Sequence, residues 1–235
     1  MSTRSHPEAE SAAPEPPAPG RPARGALLLG LPALLLALFT WQVAAEGPLL
    51  DLDERLSRAL VHPGRAAELL ADLGNVQVAV PVLVLVAGYA ARRARSAGVP
   101  RWWLPSVAGL ALMVLVPLIV VPLKEWTDRP GTPAVPPATG YYPSGHTATA
   151  AVAYGAAALV LLPWLGTLLA RRAAVATAVT LSAAVSFGLV RRGYHWPLDV
   201  AASWCLGVML LGALWLFLRR IARYCEGTPV AAGQR

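Results

Sequence analysis

Apolar residues gather in six blocks along the chain, at positions 25–45, 76–91, 103–123, 146–166, 173–190 and 197–218. Crossing the hydrocarbon core of a bilayer, roughly 30 Å thick, takes about 20 helical residues. The blocks therefore predict six transmembrane helices, the second being the shortest. The segment 49–74 follows another rule. Leu50, Leu52, Leu56, Leu60 and Val61, then Ala67, Leu69, Leu70 and Leu73, alternate with charges at near-helical spacing. That pattern predicts one or two amphipathic helices, broken at His62-Pro63-Gly64 and lying on the membrane interface. Residues 1–24 are rich in Pro, Ala and Ser and hold no apolar run, a composition that buries too little surface to offset chain entropy. They predict a disordered tail. A cleaved signal peptide is the competing reading of the first block, but the apolar stretch is longer than a typical h-region and starts late. The expected organisation is all-α and polytopic: a cytoplasmic tail at 1–24, a six-helix membrane domain at 25–220 and a second cytoplasmic tail at 221–235.

Composition agrees with a membrane protein. Hydrophobic residues make up 56% of the chain and charged ones 14%, too few to cover the surface of a soluble domain of this length. The net charge of +7 would suit a nucleic-acid partner if it formed one patch, and it does not. Arg92, Arg93, Arg95, Arg101, Arg171, Arg172, Arg219, Arg220 and Arg223 all fall on one side of a six-span topology. Asp51, Asp53, Glu54, Glu68, Asp72, Glu125 and Asp128 fall on the other. The positive-inside rule then puts both termini in the cytoplasm of a plasma-membrane protein. Trp41, Trp102, Trp103, Trp126, Trp164 and Trp196 sit at block ends and predict an aromatic belt. Cys205 and Cys225 read as free thiols, since one lies in an apolar block and the other in a basic tail.

Three outward-facing positions hold nearly all the unusual polar chemistry. They are Lys124-Glu125-Trp126-Thr127-Asp128-Arg129-Pro130, Tyr141-Tyr142-Pro143-Ser144-Gly145-His146, and the stretch from Arg191 through Tyr194-His195-Trp196-Pro197-Leu198-Asp199. Lys124 is the one lysine among twenty basic residues. The fourth and sixth spans both begin on this face, so N–H groups at Ser144 and Gly145 predict an anion seat at a positive helix end. Lys124 and Arg129 add charge suited to phosphate oxygens. Asp199, four residues after His195, can accept from one imidazole nitrogen and leave the other nucleophilic. Tyr141 and Tyr142 are expected to anchor the chain at the interface, with lining of the lipid entry as the competing reading.

These residues resemble the type 2 phosphatidic acid phosphatase family from about residue 45 to 220. Pro143-Ser144-Gly145-His146 is similar to its second motif at every position, and His195-Trp196-Pro197-Leu198-Asp199 to the end of its third. Two departures stand out. The first motif has six residues between its Lys and its Arg-Pro; here four separate Lys124 from Arg129, and the usual Arg slot is Gly131. In the third, counting back from His195 lands on Gly188-Leu189, with Arg191 two residues too close. Arg129 and Arg191 are expected to fill the displaced slots. The resemblance implies a lipid phosphatase in which His195 attacks phosphorus, Asp199 fixes its tautomer, and His146 first protonates the leaving oxygen and then activates water. Lys124, Arg129, Arg191, Ser144 and Gly145 would hold the phosphate, with no metal or cofactor.

The expected partners are the membrane and a lipid phosphate or diphosphate, such as a polyprenyl diphosphate, phosphatidic acid or phosphatidylglycerol phosphate, and no nucleic acid. Three alternatives stay open. The same intermediate could pass phosphate to an acceptor other than water. His146, His195 and Asp199 match some open metal sites in number, against which Lys124 and the arginines argue by charge. A catalytically impaired, lipid-binding homologue is the third.

Overall fold

The structure, a computed structural model, describes residues 21–226, with side chains from Leu28 to Ala222. Residues 1–20 and 227–235, which hold most of the two expected tails, lie outside the described residues. The described chain is all-helical: α1 (Arg21–Ala44), α2 (Leu49–Leu60), α3 (Arg65–Asp72), α4 (Val76–Ser96), α5 (Leu104–Thr127), α6 (Gly145–Leu161), α7 (Leu168–Arg192) and α8 (Pro197–Glu226), with a short 3₁₀ turn at Leu162–Trp164. Five helices, α4 to α8, are long and apolar enough to cross a membrane. Leu28–Ala44 and α2 meet that measure only together, as a pair bent by 90°, and give the sixth span if the pair is counted as one broken crossing.

The interfacial segment forms as its periodicity predicts, and the break between α2 and α3 falls at 61–64. Its inner face is less apolar than expected, because α2 buries Asp53 and Ser57. Helix ends run further than the apolar blocks in several places. α5 continues to Thr127 and so carries Lys124 in its last turn. α7 spans Leu168–Arg192, because Thr167 caps its start by accepting from the Ala170 N–H and Gly193 ends it at φ +79°. A side chain at Gly193 would be strained by that backbone, and its Cβ would stand 2.6 Å from Ala134 Cβ.

α6 is the axis of the bundle and touches α4, α5, α7 and α8. Its run of alanines from Ala148 to Ala158 lets neighbouring backbones approach closely, which is how helices associate where lipid removes the hydrophobic drive. α3 packs on α7 and α1 on α8. The end of α5 and the starts of α4, α6 and α8 thereby meet at one end of the bundle, beneath α2 and α3.

Candidate active site

Each polar group of the site is delivered by a helix terminus. Pro197 opens α8, since its missing N–H is not needed in a first turn. Asp199, in that turn, reaches back to accept from the Trp196 N–H at 3.2 Å, the N-terminal half of a capping box. The same oxygen, Oδ2, lies 3.1 Å from His195 Nδ1. A carboxylate only accepts, so Nδ1 carries the proton and the Nε2 lone pair is available. His195 is 7% exposed and Asp199 fully buried.

On α6, Ser144 is the N-cap, and its hydroxyl accepts from the Thr147 N–H at 3.3 Å. Its own N–H donates to the Asp199 carbonyl at 3.2 Å, and its side chain is fully buried. The expected free N–H at Ser144 is therefore absent; the residue ties the α6 start to the α8 start instead. Gly145 and His146 face the cavity described below. His146 Nε2 lies 2.8 Å from Asn75 Oδ1. The Asn75 amide is oriented by its Nδ2, which donates to Asp72 Oδ1 at 3.1 Å, so its oxygen faces the imidazole and Nε2 is the donor. The second proton position of His146 is thus Nδ1. Asn75 is the N-cap of α4 and makes no side-chain cap bond, its amide being turned to His146 instead.

Lys124, His195, His146 and Gly145 line one recess of about 630 Å³. Lys124 Nζ donates to the Gly140 carbonyl at 2.5 Å and to that of Tyr141 at 3.4 Å. Below this polar end the recess continues along Val76 and Val80 of α4 and Met113, Val116, Pro117, Val120 and Val121 of α5. Val76 and Val121 are exposed on the outside of the bundle, so the recess reaches its lateral surface. A smaller cavity of about 250 Å³ also touches both histidines, and Asp72 lines it. A larger hollow, about 730 Å³, lies at the far end beside Arg92, Arg93 and Trp164 and holds no histidine or carboxylate.

The two displaced arginines do not reach the recess. Arg129 is 3% exposed, and its guanidinium is clamped between two carboxylates, Nη2 at 2.5 Å from Asp53 Oδ2 and Nη1 at 2.5 Å from Asp199 Oδ1. With both ends of the fork occupied, it is not posed as a phosphate ligand. Arg191 stacks its guanidinium 5.8 Å from the Phe187 ring, one turn back on α7. Among the described residues, Lys124 is the one Lys or Arg lining the recess.

Two residues outside the predicted site set contribute to it. Asp53 joins the site from α2, where Oδ1 accepts from the Leu198 N–H at 2.8 Å. Burial pushes its carboxyl up from the ordinary value, against the pull of Arg129 and the Leu198 N–H. Both its oxygens accept hydrogen bonds, the pattern of the charged form. Asn75 is the second. Tyr141, the predicted interface anchor, instead takes the competing place: it lines the recess and meets the His195 ring edge-on at 5.7 Å. Tyr142 is fully buried with its hydroxyl 2.9 Å from Thr40 Oγ1, and burial raises its pKa. Trp196 likewise leaves the expected belt: it is buried, donates from Nε1 to the Pro130 carbonyl at 3.0 Å, and lies under Arg129 at 5.3 Å.

The model of the PAP2 superfamily matches residues 117–223. No curated protein sequence matches the chain. Among solved structures, the fold is similar to the first transmembrane PAP2 type phosphatidylglycerolphosphate phosphatase from Bacillus subtilis, with a TM-score of 0.68 and 25% sequence identity. That match covers 82% of this chain and 98% of the other.

Proposed function

We propose, from the match of residues 117–223 to the PAP2 superfamily model and from the recess, a membrane lipid phosphatase that works through a phosphohistidine. His195 Nε2 attacks phosphorus and the P–O bond to the lipid breaks, the departing oxygen taking a proton from His146. His146 then removes a proton from water, the water oxygen attacks phosphorus, and the N–P bond breaks to release phosphate. Asp199 holds the His195 tautomer throughout, and Lys124 with the first turn of α6 stabilises charge on the phosphoryl oxygens. The observation that carries this reading is one recess with His195, His146 and Lys124 at its polar end and an apolar trough below, open between two spanning helices. A headgroup and its chain fit that division. The arginine asymmetry of the loops supports an extracytoplasmic site.

Substrates proposed on the family and the trough are phosphatidylglycerol phosphate, phosphatidic acid and polyprenyl diphosphates. Purified protein incubated with each radiolabelled lipid and quenched in alkali is expected to carry acid-labile phosphate on His195, absent in His195→Ala. Full turnover by both His195→Ala and His146→Ala would end this mechanism. The absence of Arg129 and Arg191 from the recess favours a second reading, an impaired lipid-binding homologue. Lipid binding with no phosphate release from any member of the panel would establish it.

A further inference from the structure

Asp53 is a charged residue buried on an interfacial helix, and fold stability alone does not account for it. Its ion pair with Arg129 is 3% exposed on each side, and Arg129 pairs again with a fully buried Asp199. Desolvating three charges offsets most of their mutual attraction, so such triads stabilise a fold no better than apolar residues of similar volume. What the triad does achieve is geometric. Asp199 Oδ1 is held by Arg129 while Oδ2 is left to His195 and the Trp196 N–H. Arg129 is in turn held from behind by Asp53, whose other oxygen grips the first turn of α8 at Leu198. The rigid guanidinium fork spans both carboxylates, which a lysine could not.

We propose that Asp53 and Arg129 are positioning residues for the nucleophile, forming a chain Asp53–Arg129–Asp199–His195 that fixes the imidazole and sets the charge beside it. The proposal rests on His195 being the nucleophile. Asp53, Arg129 and Asp199 together carry −1 in the native protein. Asp53→Asn leaves 0, and the double variant Asp53→Asn/Arg129→Gln restores −1. The other groups facing His195 stay constant: Lys124 from α5, His146 from α6, Asp72 from α3, and Tyr141 and Tyr194 from the flanking loops.

The test measures phosphate release from a lipid phosphate by detergent-purified variants across pH, with elution profile and melting temperature as the check of folding. Asp53→Asn is expected to lower kcat by about 10- to 100-fold, as misplacing a reactive group does, with KM nearly unchanged. The acid limb of its kcat/KM profile moves to lower pH by about one unit, because a negative charge that favours the imidazolium through the buried chain is removed. In the double variant the limb returns towards its native position. Arg129→Lys, which keeps the charge and loses the fork, lowers kcat with the limb unmoved. A residue that merely held α2 in place would lower melting temperature without moving the limb in this pattern. A folded Asp53→Asn with native kcat and an unmoved limb overturns the proposal, as does an Arg129→Lys protein with native kcat. If Asp53→Asn does not elute as folded protein, the double variant decides alone: a limb far from native overturns it. His195→Ala is run alongside. Its inactivity with native-like Asp53→Asn defeats the relay alone, whereas its retained activity defeats the phosphohistidine reading first.

Discussion

Replacing Lys124 with Met tests where the positive charge of the site resides. The ammonium sits on the last turn of α5, half-buried, with Nζ aimed by the Gly140 and Tyr141 carbonyls beside the recess that His195 and His146 share. With Arg129 committed to two carboxylates and Arg191 stacked on Phe187, no other Lys or Arg among the described residues lines that recess. Losing one preorganised donor to a developing oxyanion lowers turnover about 100- to 1,000-fold, or about 2.7–4 kcal/mol of transition-state stabilisation. Lys124→Met is therefore expected to lose at least 100-fold in kcat/KM, and Arg191→Ala less than about threefold, its charge lying off the site. The assay is phosphate release from a lipid monophosphate in mixed micelles, with both variants checked for folding. The reverse ranking, Arg191→Ala the more damaging, would refute the reasoning and restore Arg191 to the phosphate.

Three further outcomes follow from the packing. Gly193→Ala meets a left-handed backbone worth about 1–2 kcal/mol of strain and a contact with Ala134, adding about 1–3 kcal/mol of overpacking. The melting temperature is expected to fall on the order of 10 °C for a chain of this size, and because His195 lies two residues on, kcat falls too. Gly131→Arg, which refills the family's arginine slot, is expected to lower activity about tenfold or more rather than raise it. A Cβ at Gly131 would stand 2.8 Å from Tyr141, whose ring abuts His195. A gain in kcat/KM would show that Tyr141 yields. Met113→Trp fills the apolar trough, so the ratio of long-chain to short-chain kcat/KM is expected to drop about tenfold, the scale of methylene discrimination in a pocket. An unchanged ratio places the lipid chain elsewhere.

Local signals carried much of this molecule. The Ser144 cap, the Pro197 start and the His195–Asp199 pair all lie within four residues of their partners, and the break at 61–64 was marked by Pro63 and Gly64. The pairing of Arg129 is not legible in the sequence because its partners are remote: Asp53 lies 76 residues away and Asp199 lies 70. An arginine beside a phosphate motif reads as a ligand until the counter-charge that occupies it is known. Asp53 reads in sequence as an outer-face charge that supports topology, since α2 is amphipathic and nothing in a period of 3.6 says that a carboxylate on the inner face has a guanidinium waiting. Asn75 hid in the same way. Only the fold brings His146 close enough, 71 positions on, to engage its amide. Tyr141 and Trp196 show the limit of belt assignments, because aromatics at helix ends also mark the walls of a site.

The recess that opens sideways between α4 and α5 changes what concentration means for this enzyme. On the proposed lipid-phosphatase reading, a substrate would reach Lys124 through that gap by diffusion in the plane of the bilayer, and its surface mole fraction, not its bulk molarity, would govern turnover. Diluting the substrate with inert phospholipid at constant total substrate should slow the reaction, whereas adding more vesicles of unchanged composition should leave the rate per enzyme as it was.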